Sequence, residues 1–135
     1  MPNPKLPPQD LEAEQAVIGS LMIDQDAIIK VADLLSPYDF YIPQHRLIYG
    51  AVMDLFEKHQ PIDILNVSSR LQEKNILKDI GGRSYLADVI NNIPSSFHVV
   101  SYAERVRAKK LMRDLIDASV EINENAYQFT GDTEE

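Results

Sequence analysis

The chain has 135 residues, of which 44% are hydrophobic and 25% are charged, the size and composition of one globular domain. It contains no cysteine, which excludes disulfides, thiolate metal sites and cysteine nucleophiles, and its net charge of -8 argues against a surface that coats nucleic acid. The sequence has no signal-peptide pattern and no apolar run long enough to cross a bilayer, so we expect a cytoplasmic protein without membrane contact.

Hydrophobic residues at helical spacing begin after a proline-rich lead-in, residues 1–9, which we expect to be flexible or extended. Asp10 is a suitable N-cap for the first helix. Glu12 and Glu14 follow in its first turn, where the helix dipole favours acids. Gly19 lies further along this helix, where a small residue permits close approach of a neighbouring helix.

Four more helix signals follow along the chain. A short second helix ends before Pro37, because the residue that precedes a proline avoids the α conformation. Pro43 suits the first position of a third helix, and Asp63 is a cap for a fourth. The pair Gly81–Gly82 precedes a fifth helix, which Pro94 ends.

The glycine pair Gly81–Gly82 is a candidate phosphate site, because glycines before a helix can bind phosphate. The segment lacks the second glycine position and the lysine of a P-loop, and it lacks the G-x-G-x-x-G pattern of dinucleotide sites. We therefore interpret Gly81–Gly82 as a turn in which glycine allows a positive φ.

The last helix is the longest, with a predicted start at Ser96 or Ser101 and a predicted end at Gly131. Two lines of apolar residues follow it. The first consists of Val99, Ala103 and Val106 and then Ala108, Leu111, Leu115, Ala118, Ile122, Ala126 and Phe129, and the second of Met112, Ile116, Val120 and Tyr127. Because one helix carries two such lines, we expect it to face two partners, the core of the domain and a second surface.

The sequence offers little for catalysis or metal binding. His45, His59 and His98 lack the spacing of a zinc site, and we expect them at the surface or at helix ends. No carboxylates are paired for acid–base chemistry, and no G-x-S-x-G motif is present. We predict no catalytic residue, metal or cofactor in this chain.

The basic cluster of the last helix permits two interpretations. Arg105, Lys109 and Arg113 share one helix face, since they are four residues apart. They can form a solvated face with internal ion pairs, or they can contact phosphate or an acidic partner. No aromatic residues alternate with them as in proteins that stack single-stranded bases.

Six strings in order carry a resemblance to a known family: "PPQDLEAEQAVIGSLMID", "DFYIPQHRLIYGAV", "PID", "IGGRSYLADV", "IPSS" and "YAERVRAKKLMRDLI". Together they resemble the N-terminal domain of the DnaB-type bacterial replicative DNA helicases, over about residues 7 to 130. Leu65-Asn66 and Phe97-His98 are local departures from the family pattern, and the second makes the start of the last helix uncertain.

The resemblance implies an all-α fold. A compact orthogonal head of about five helices would occupy residues 10–97, residues 98–130 would form the first arm of a projecting helical hairpin, and residues 131–135 would be an acidic turn. In the family, hairpins pair into dimers, and three dimers form the collar of a hexameric ring. ATP, magnesium and most DNA contacts belong to a C-terminal RecA-like domain, which this sequence lacks.

The family's collar also binds DnaG primase, and a helicase loader is a further partner to consider. Carried over by position, the primase-facing residues are Glu12, Tyr85, Ile116 and Ile122. The ordinary alternatives are a helix-dipole role for Glu12 and core positions for the other three. Self-association is expected through Leu111, Leu115, Ala118 and Ile122. The alternative function is an auxiliary nucleic-acid-contacting domain that uses the basic face of Arg105, Lys109 and Arg113.

Overall fold

The computed structural model describes residues 6–129. These residues form six α-helices: α1 (Leu11–Ile23), α2 (Ala27–Val31), α3 (Pro43–Glu57), α4 (Ile64–Glu73), α5 (Gly82–Asn91) and α6 (Val99–Gln128). Three single 3₁₀ turns, at Pro37–Asp39, Lys78–Ile80 and Ser96–His98, link some of them. This part of the chain contains no β-strand, so the all-α prediction is confirmed.

The predicted caps form as expected. The Asp10 side chain accepts a hydrogen bond from the Ala13 amide (3.0 Å), and the Asp63 side chain accepts one from the Asn66 amide (2.8 Å). Each bond satisfies an amide that has no partner inside its own helix. The Asn66 side chain also donates to Asp63 (3.1 Å), so this departure from the family pattern adds to the cap.

Helix α1 lies at the centre of the head, and its Val17, Ile18 and Leu21 are fully buried. It packs against α3, α5 and α6. Gly19 is what permits the close approach of α5: a Cβ at this position would collide with the Ile93 side chain and lie 3.1 Å from the Val89 carbonyl oxygen. The small residue on α1 therefore has the role that the sequence predicts.

The glycine pair forms a turn that precedes a helix. Gly81 ends the 3₁₀ turn Lys78–Ile80 with a φ of 100°, and Gly82 opens α5 with a φ of 71°. Both values lie in the left-handed region, where a side chain is strained. The structural interpretation of Gly81–Gly82 is confirmed.

Helix α6 begins at Val99 after a short 3₁₀ turn. Ser95 accepts a hydrogen bond from the Phe97 amide (3.1 Å), so a serine does open this segment, although one residue before the predicted Ser96. The α-helix ends at Gln128, and the predicted stop at Gly131 lies outside the described residues.

Only the first turns of α6 pack on the head. Val99, Ala103 and Val106 are its buried residues, and Tyr102 is half-buried. The expectation that one of the two apolar lines faces the domain's own core is therefore wrong beyond Val106. The buried apolar contacts with the head end at this point, so the apolar residues of the later turns have no core to face.

Candidate interaction surface

The second half of α6 is an exposed arm, which we call the distal arm and define as residues 111–128. From Asp114 onward every residue of α6 is exposed, including Leu115 (57%) and Ile122 (68%). A buried leucine or isoleucine stabilises a protein by about 1.5–3 kcal/mol, which these residues do not contribute here. Among residues 6–129, the head contacts the distal arm at its start, around Arg113, and leaves the turns from Asp114 onward exposed as the candidate interaction surface.

The four self-association candidates share one side of this arm. At about 100° per residue, Leu111, Leu115, Ala118 and Ile122 fall within an arc of roughly 60°. Their alternating spacing of four and three residues is the pattern of a two-helix seam. The arrangement suits pairing with a second helix along that side.

The two isoleucines predicted to face primase lie on different sides of α6. Ile116 and Ile122 are six residues apart, which places them about 120° apart around the helix axis. Ile122 lies on the seam, while Ile116 lies on the second apolar line. One partner domain would have to wrap around the arm to contact both.

The other two primase-facing candidates lie on the head. Glu12 is exposed on the first turn of α1, and Tyr85 is half-buried on α5. Gln15, one turn after Glu12, donates a hydrogen bond to the Tyr85 hydroxyl (3.5 Å), so the two residues border the same part of the head. The structure thus places Glu12 and Tyr85 on the head, on the adjacent helices α1 and α5, and Ile116 and Ile122 on the arm.

Arginines fix the base of the arm to the head. Arg105 forms an ion pair with Asp10 (2.8 Å), which supports the interpretation of the basic face as one with internal ion pairs. Arg113 donates to the carbonyl oxygens of Pro8 (2.8 Å) and Asp39 (2.9 Å). Two of the three phosphate candidates thus have partners inside the chain, and Lys109 is half-buried beside them.

A buried polar network, which the sequence reasoning missed, lies beneath Tyr85. His45 and Glu14 are 0% and 1% exposed. Glu14 does lie in the first turn of α1 and His45 in the first turn of α3, as expected, but the expectation of a surface position for His45 is wrong. His45 Nδ1 lies 2.7 Å from Glu14 Oε1, and its Nε2 lies 2.6 Å from the Tyr85 hydroxyl. Because a carboxylate only accepts, Nδ1 donates to Glu14, and in the tautomer with a single ring proton Nε2 then accepts from the tyrosine hydroxyl.

Glu14 also completes the start of a neighbouring helix. Its carboxylate accepts from the amides of Tyr41 (2.7 Å) and Ile42 (3.2 Å), which precede α3 and have no partner within that helix. Glu14 and His45 are buried, and their hydrogen bonds connect α1, α3 and α5. Glu14 lies at the spacing of Val17 and Leu21, and His45 at that of Ile48 and Val52, so this periodicity was the available signal.

The described residues also bear on metal binding and membrane insertion. Within residues 6–129, no three histidine or acidic side chains come together in a way that could hold a metal ion. None of the helices in this part of the chain is long and apolar enough to cross a membrane.

Comparison with known proteins identifies the family. Residues 6–108 match the family model described as the DnaB-like helicase N terminal domain. The replicative DNA helicase DnaC of Bacillus subtilis is 35% identical over 133 residues, which are 98% of this chain and 29% of that protein. The replicative DNA helicase DnaB of Pasteurella multocida is 39% identical over 126 residues, 93% of this chain and 27% of that protein. The chain thus spans little more than a quarter of the length of these relatives.

Solved structures agree. The N-terminal domain of DnaB helicase from Mycobacterium tuberculosis superposes with a TM-score of 0.89 at 38% identity, covering 90% of this chain and 87% of that one. A DnaB-like replicative helicase, solved in a study of its interactions with primase, superposes with a TM-score of 0.77 at 28% identity, covering 87% of this chain and 28% of that one. The chain belongs to the family of DnaB-like helicase N-terminal domains.

Proposed function

We propose that this chain is the collar domain of a bacterial replicative DNA helicase, which assembles the helicase ring and docks DnaG primase in the cytoplasm. The observation that carries the proposal is the distal arm, where leucines and isoleucines stand exposed on a 30-residue helix. Exposed apolar surface on this scale is typical of an interaction site. The relatives named above are replicative helicases, which supports the same role here.

Assembly would use the seam of the distal arm. Leu111, Leu115, Ala118 and Ile122 would pack against a second helix, first within a hairpin pair and then in a trimer of dimers. Each buried leucine of such a seam would contribute about 1.5–3 kcal/mol, which favours association of the isolated chain.

Light scattering across a wide concentration range tests the seam. We expect the chain to self-associate, and Leu115→Glu to yield a monomer because it places a charge on the seam. Val120→Glu is the matched control, since Val120 is also about half exposed but lies on the far side of α6 from Leu111. A chain that stays monomeric at every concentration would contradict the proposal.

Primase docking would use the head and the arm at separate points. Glu12 and Tyr85 border one region of the head, and Ile116 lies on the arm outside the seam. Ile122 lies on the seam, so a change there would affect self-association and primase binding together. Ile116 is therefore the residue that separates the two functions.

Calorimetric titration with the C-terminal domain of the cognate primase tests the docking. We expect Ile116→Ala to weaken binding by about tenfold, the effect of losing one well-packed apolar contact. Ile29→Ala, at an exposed isoleucine on α2, is the control and should leave affinity unchanged. At Tyr85 the substitution to test is Tyr85→Phe, which removes the hydroxyl and keeps the aromatic ring. Tyr85→Ala would also remove the ring that packs on His45, so a loss of primase affinity could then reflect a loss of stability. Equal affinities for Ile116→Ala and the control would contradict the assignment.

The chemistry of unwinding would lie in the part of the protein that this chain lacks. ATP, magnesium and the main DNA contacts would belong to a C-terminal RecA-like domain, so this chain alone would hold no cofactor. We expect no ATP hydrolysis by the isolated chain in a phosphate-release assay. Turnover that persists through purification would contradict this assignment.

A further inference from the structure

A second surface lies where the base of the arm meets the lead-in to α1 and the turn before α3. It is a cleft of about 620 Å³. We call it the tyrosine–arginine cleft and define it by Tyr38, Tyr41, Arg46, Lys110, Arg113 and Ile116. Its walls are partly apolar, and three of these six side chains are cationic.

Main-chain carbonyls hold the two arginines of the cleft in place. Arg46 donates to the carbonyl oxygens of Phe40 (2.7 Å) and Tyr41 (3.1 Å), and Arg113 donates to those of Pro8 and Asp39. A carbonyl is neutral, so these bonds orient each guanidinium without cancelling its charge. Each guanidinium has five N–H donors, so further donors remain for a ligand.

The charge of these arginines is not balanced by acids in the described structure. Among residues 6–129, no carboxylate lies within 4.0 Å of the guanidinium nitrogens of Arg46 or Arg113. Lys110 does have an acidic partner, Asp114 (2.9 Å), and Asp117 is the one acid that lines the cleft. The cleft therefore presents two fixed positive groups beside an apolar wall.

The apolar wall is open to solvent. Tyr38 is 77% exposed, and Ile116 is also exposed although it faces the head side of the arm. Leu6 and Pro7 also line the cleft. Such a wall suits an aliphatic or aromatic side chain of a partner.

We propose that the tyrosine–arginine cleft binds an acidic, aliphatic peptide segment of a partner protein. Its carboxylates would pair with Arg46 and Arg113, whose planar guanidinium groups suit two-point binding of carboxylates. An apolar side chain of the same segment would lie between Tyr38 and Ile116. This site is distinct from the seam but shares Ile116 with the proposed primase-facing residues, so its test changes Arg113 and Tyr38 and leaves Ile116 intact.

The chemistry favours an acidic peptide over nucleic acid. A nucleic acid carries a charge at every phosphate, and a chain of net charge -8 repels such a polyanion beyond the cleft itself. Stacking is also hindered, because the Arg113 guanidinium already lies over the Tyr41 ring at 5.4 Å. A peptide with a few carboxylates needs only the local charge of Arg46 and Arg113.

Fluorescence anisotropy at physiological ionic strength tests the proposal. The probe is a short fluorescein-labelled peptide of alternating glutamate and leucine, and the same peptide with glutamine in place of glutamate is its control. A labelled oligo-dT strand tests nucleic acid. The protein variants are Arg113→Gln and Tyr38→Glu. Their matched controls are Arg83→Gln on α5 and Leu65→Glu on α4, which make the same charge changes at exposed positions outside the cleft.

We expect the glutamate peptide to bind, and both cleft variants to weaken binding by about tenfold or more, as loss of a charged hydrogen bond does. The control variants should bind the glutamate peptide as tightly as the unmodified chain does, and the glutamine peptide should bind weakly. These two results would show that binding depends on the cleft and on the peptide's carboxylates. Arg113→Gln also removes the hydrogen bond to Pro8. If this variant unfolds at a lower temperature than the unmodified chain, Tyr38→Glu, at an exposed position, decides the test. Equal losses in cleft and control variants, or binding of oligo-dT that the cleft variants abolish, would overturn the proposal.

Discussion

The head and the distal arm are both helical, but different interactions stabilise them. In the head, α1 is enclosed by α3, α5 and α6, and its apolar side chains are buried. In the distal arm, apolar side chains at similar spacing are exposed from Leu111 to Tyr127. Tertiary packing therefore stabilises the helices of the head, while the arm relies on its local helix propensity until a partner covers it.

This contrast shows what hydrophobic spacing can and cannot indicate. A line of apolar residues indicates that a surface favours being covered, whether by the same chain or by another. In α6 the change occurs within one helix: Val106 is buried and Leu111 is exposed. Four substitutions test whether head and arm are stabilised differently.

The largest effect is expected for the buried network of the head. Glu14→Gln removes the charge that accepts hydrogen bonds from Tyr41, Ile42 and His45, and it leaves buried donors without good partners. We expect the free energy of unfolding to fall by about 3 kcal/mol in urea denaturation. Glu12→Gln, in the same turn but exposed, should change it by less than about 0.5 kcal/mol. Equal effects of the two variants would mean that the network does not stabilise the head.

The close contact between α1 and α5 comes second. Gly19→Ala places a methyl group against Ile93 and the Val89 carbonyl, and overpacking of this kind costs about 1–3 kcal/mol. Gly50→Ala is the matched control on α3, where a Cβ meets no atom of the described residues within 4 Å. That change should stabilise the protein by about 0.5–1 kcal/mol, because alanine favours helix interiors. Thermal unfolding gives both values, and a stabilising Gly19→Ala would disprove tight packing here.

A surface ion pair of the head should have a smaller and pH-dependent effect. Burial acts to raise the pKa of Asp54, but hydrogen bonds and charge from Arg70 (2.9 Å) and Lys74 (3.2 Å) outweigh it and hold that pKa below 3.8. The contribution is therefore fully present at pH values well above the ordinary aspartate pKa, and it is lost as the pH falls through the lowered pKa.

Asp54→Asn tests this ion pair. We expect a loss of about 0.5–1 kcal/mol at neutral pH, as for other partly exposed pairs, and a difference from the unmodified chain that shrinks in acid. Urea denaturation at a series of pH values measures it. Asp88→Asn is the control, since its carboxylate has no cation within 4.0 Å among residues 6–129. A difference that is unchanged in acid would rule out the pair as its source.

The smallest effect is expected in the arm. Leu115→Ala should leave the unfolding of the head unchanged at protein concentrations below self-association, because Leu115 contacts no core. Val106→Ala, nine residues earlier in the same helix, should cost about 1.5 kcal/mol, because it removes buried methyl groups. Similar losses at both positions would show that head and arm unfold as one packed unit, and the comparison would fail.

Local rules predicted the parts of the fold that depend on neighbours in sequence. The caps at Asp10 and Asp63 and the positive φ at Gly81 follow from a few adjacent residues, and the structure contains them. The order of the strings from Pro7 to Ile116 was enough to indicate the family. Each of these signals lies in the sequence itself.

The remaining features depend on contacts between distant residues. Glu14 and His45 are 31 positions apart, and Arg113 contacts Pro8 across 105 positions. The apolar spacing of Glu14 and His45 indicates that each is buried, but no local signal indicates that they contact each other, or that Arg113 contacts Pro8. The tyrosine–arginine cleft was missed for the same reason: Tyr41 and Arg113 meet only after the chain has folded.

The arginines at the base of α6 have a mechanical consequence. Arg105, Arg107 and Arg113 contact the head at three separate places, Asp10, the Leu34 carbonyl, and the Pro8 and Asp39 carbonyls. From Arg113 to Gln128 the helix extends about 22 Å, so a tilt of about 10° at this fulcrum moves the tip by about 4 Å. A partner that shifts the turn around Asp39 and thereby tilts α6 would displace the tip of the arm by more than it displaces the turn. Helix α6 would thus transmit a small movement of the head to the surface that its tip contacts.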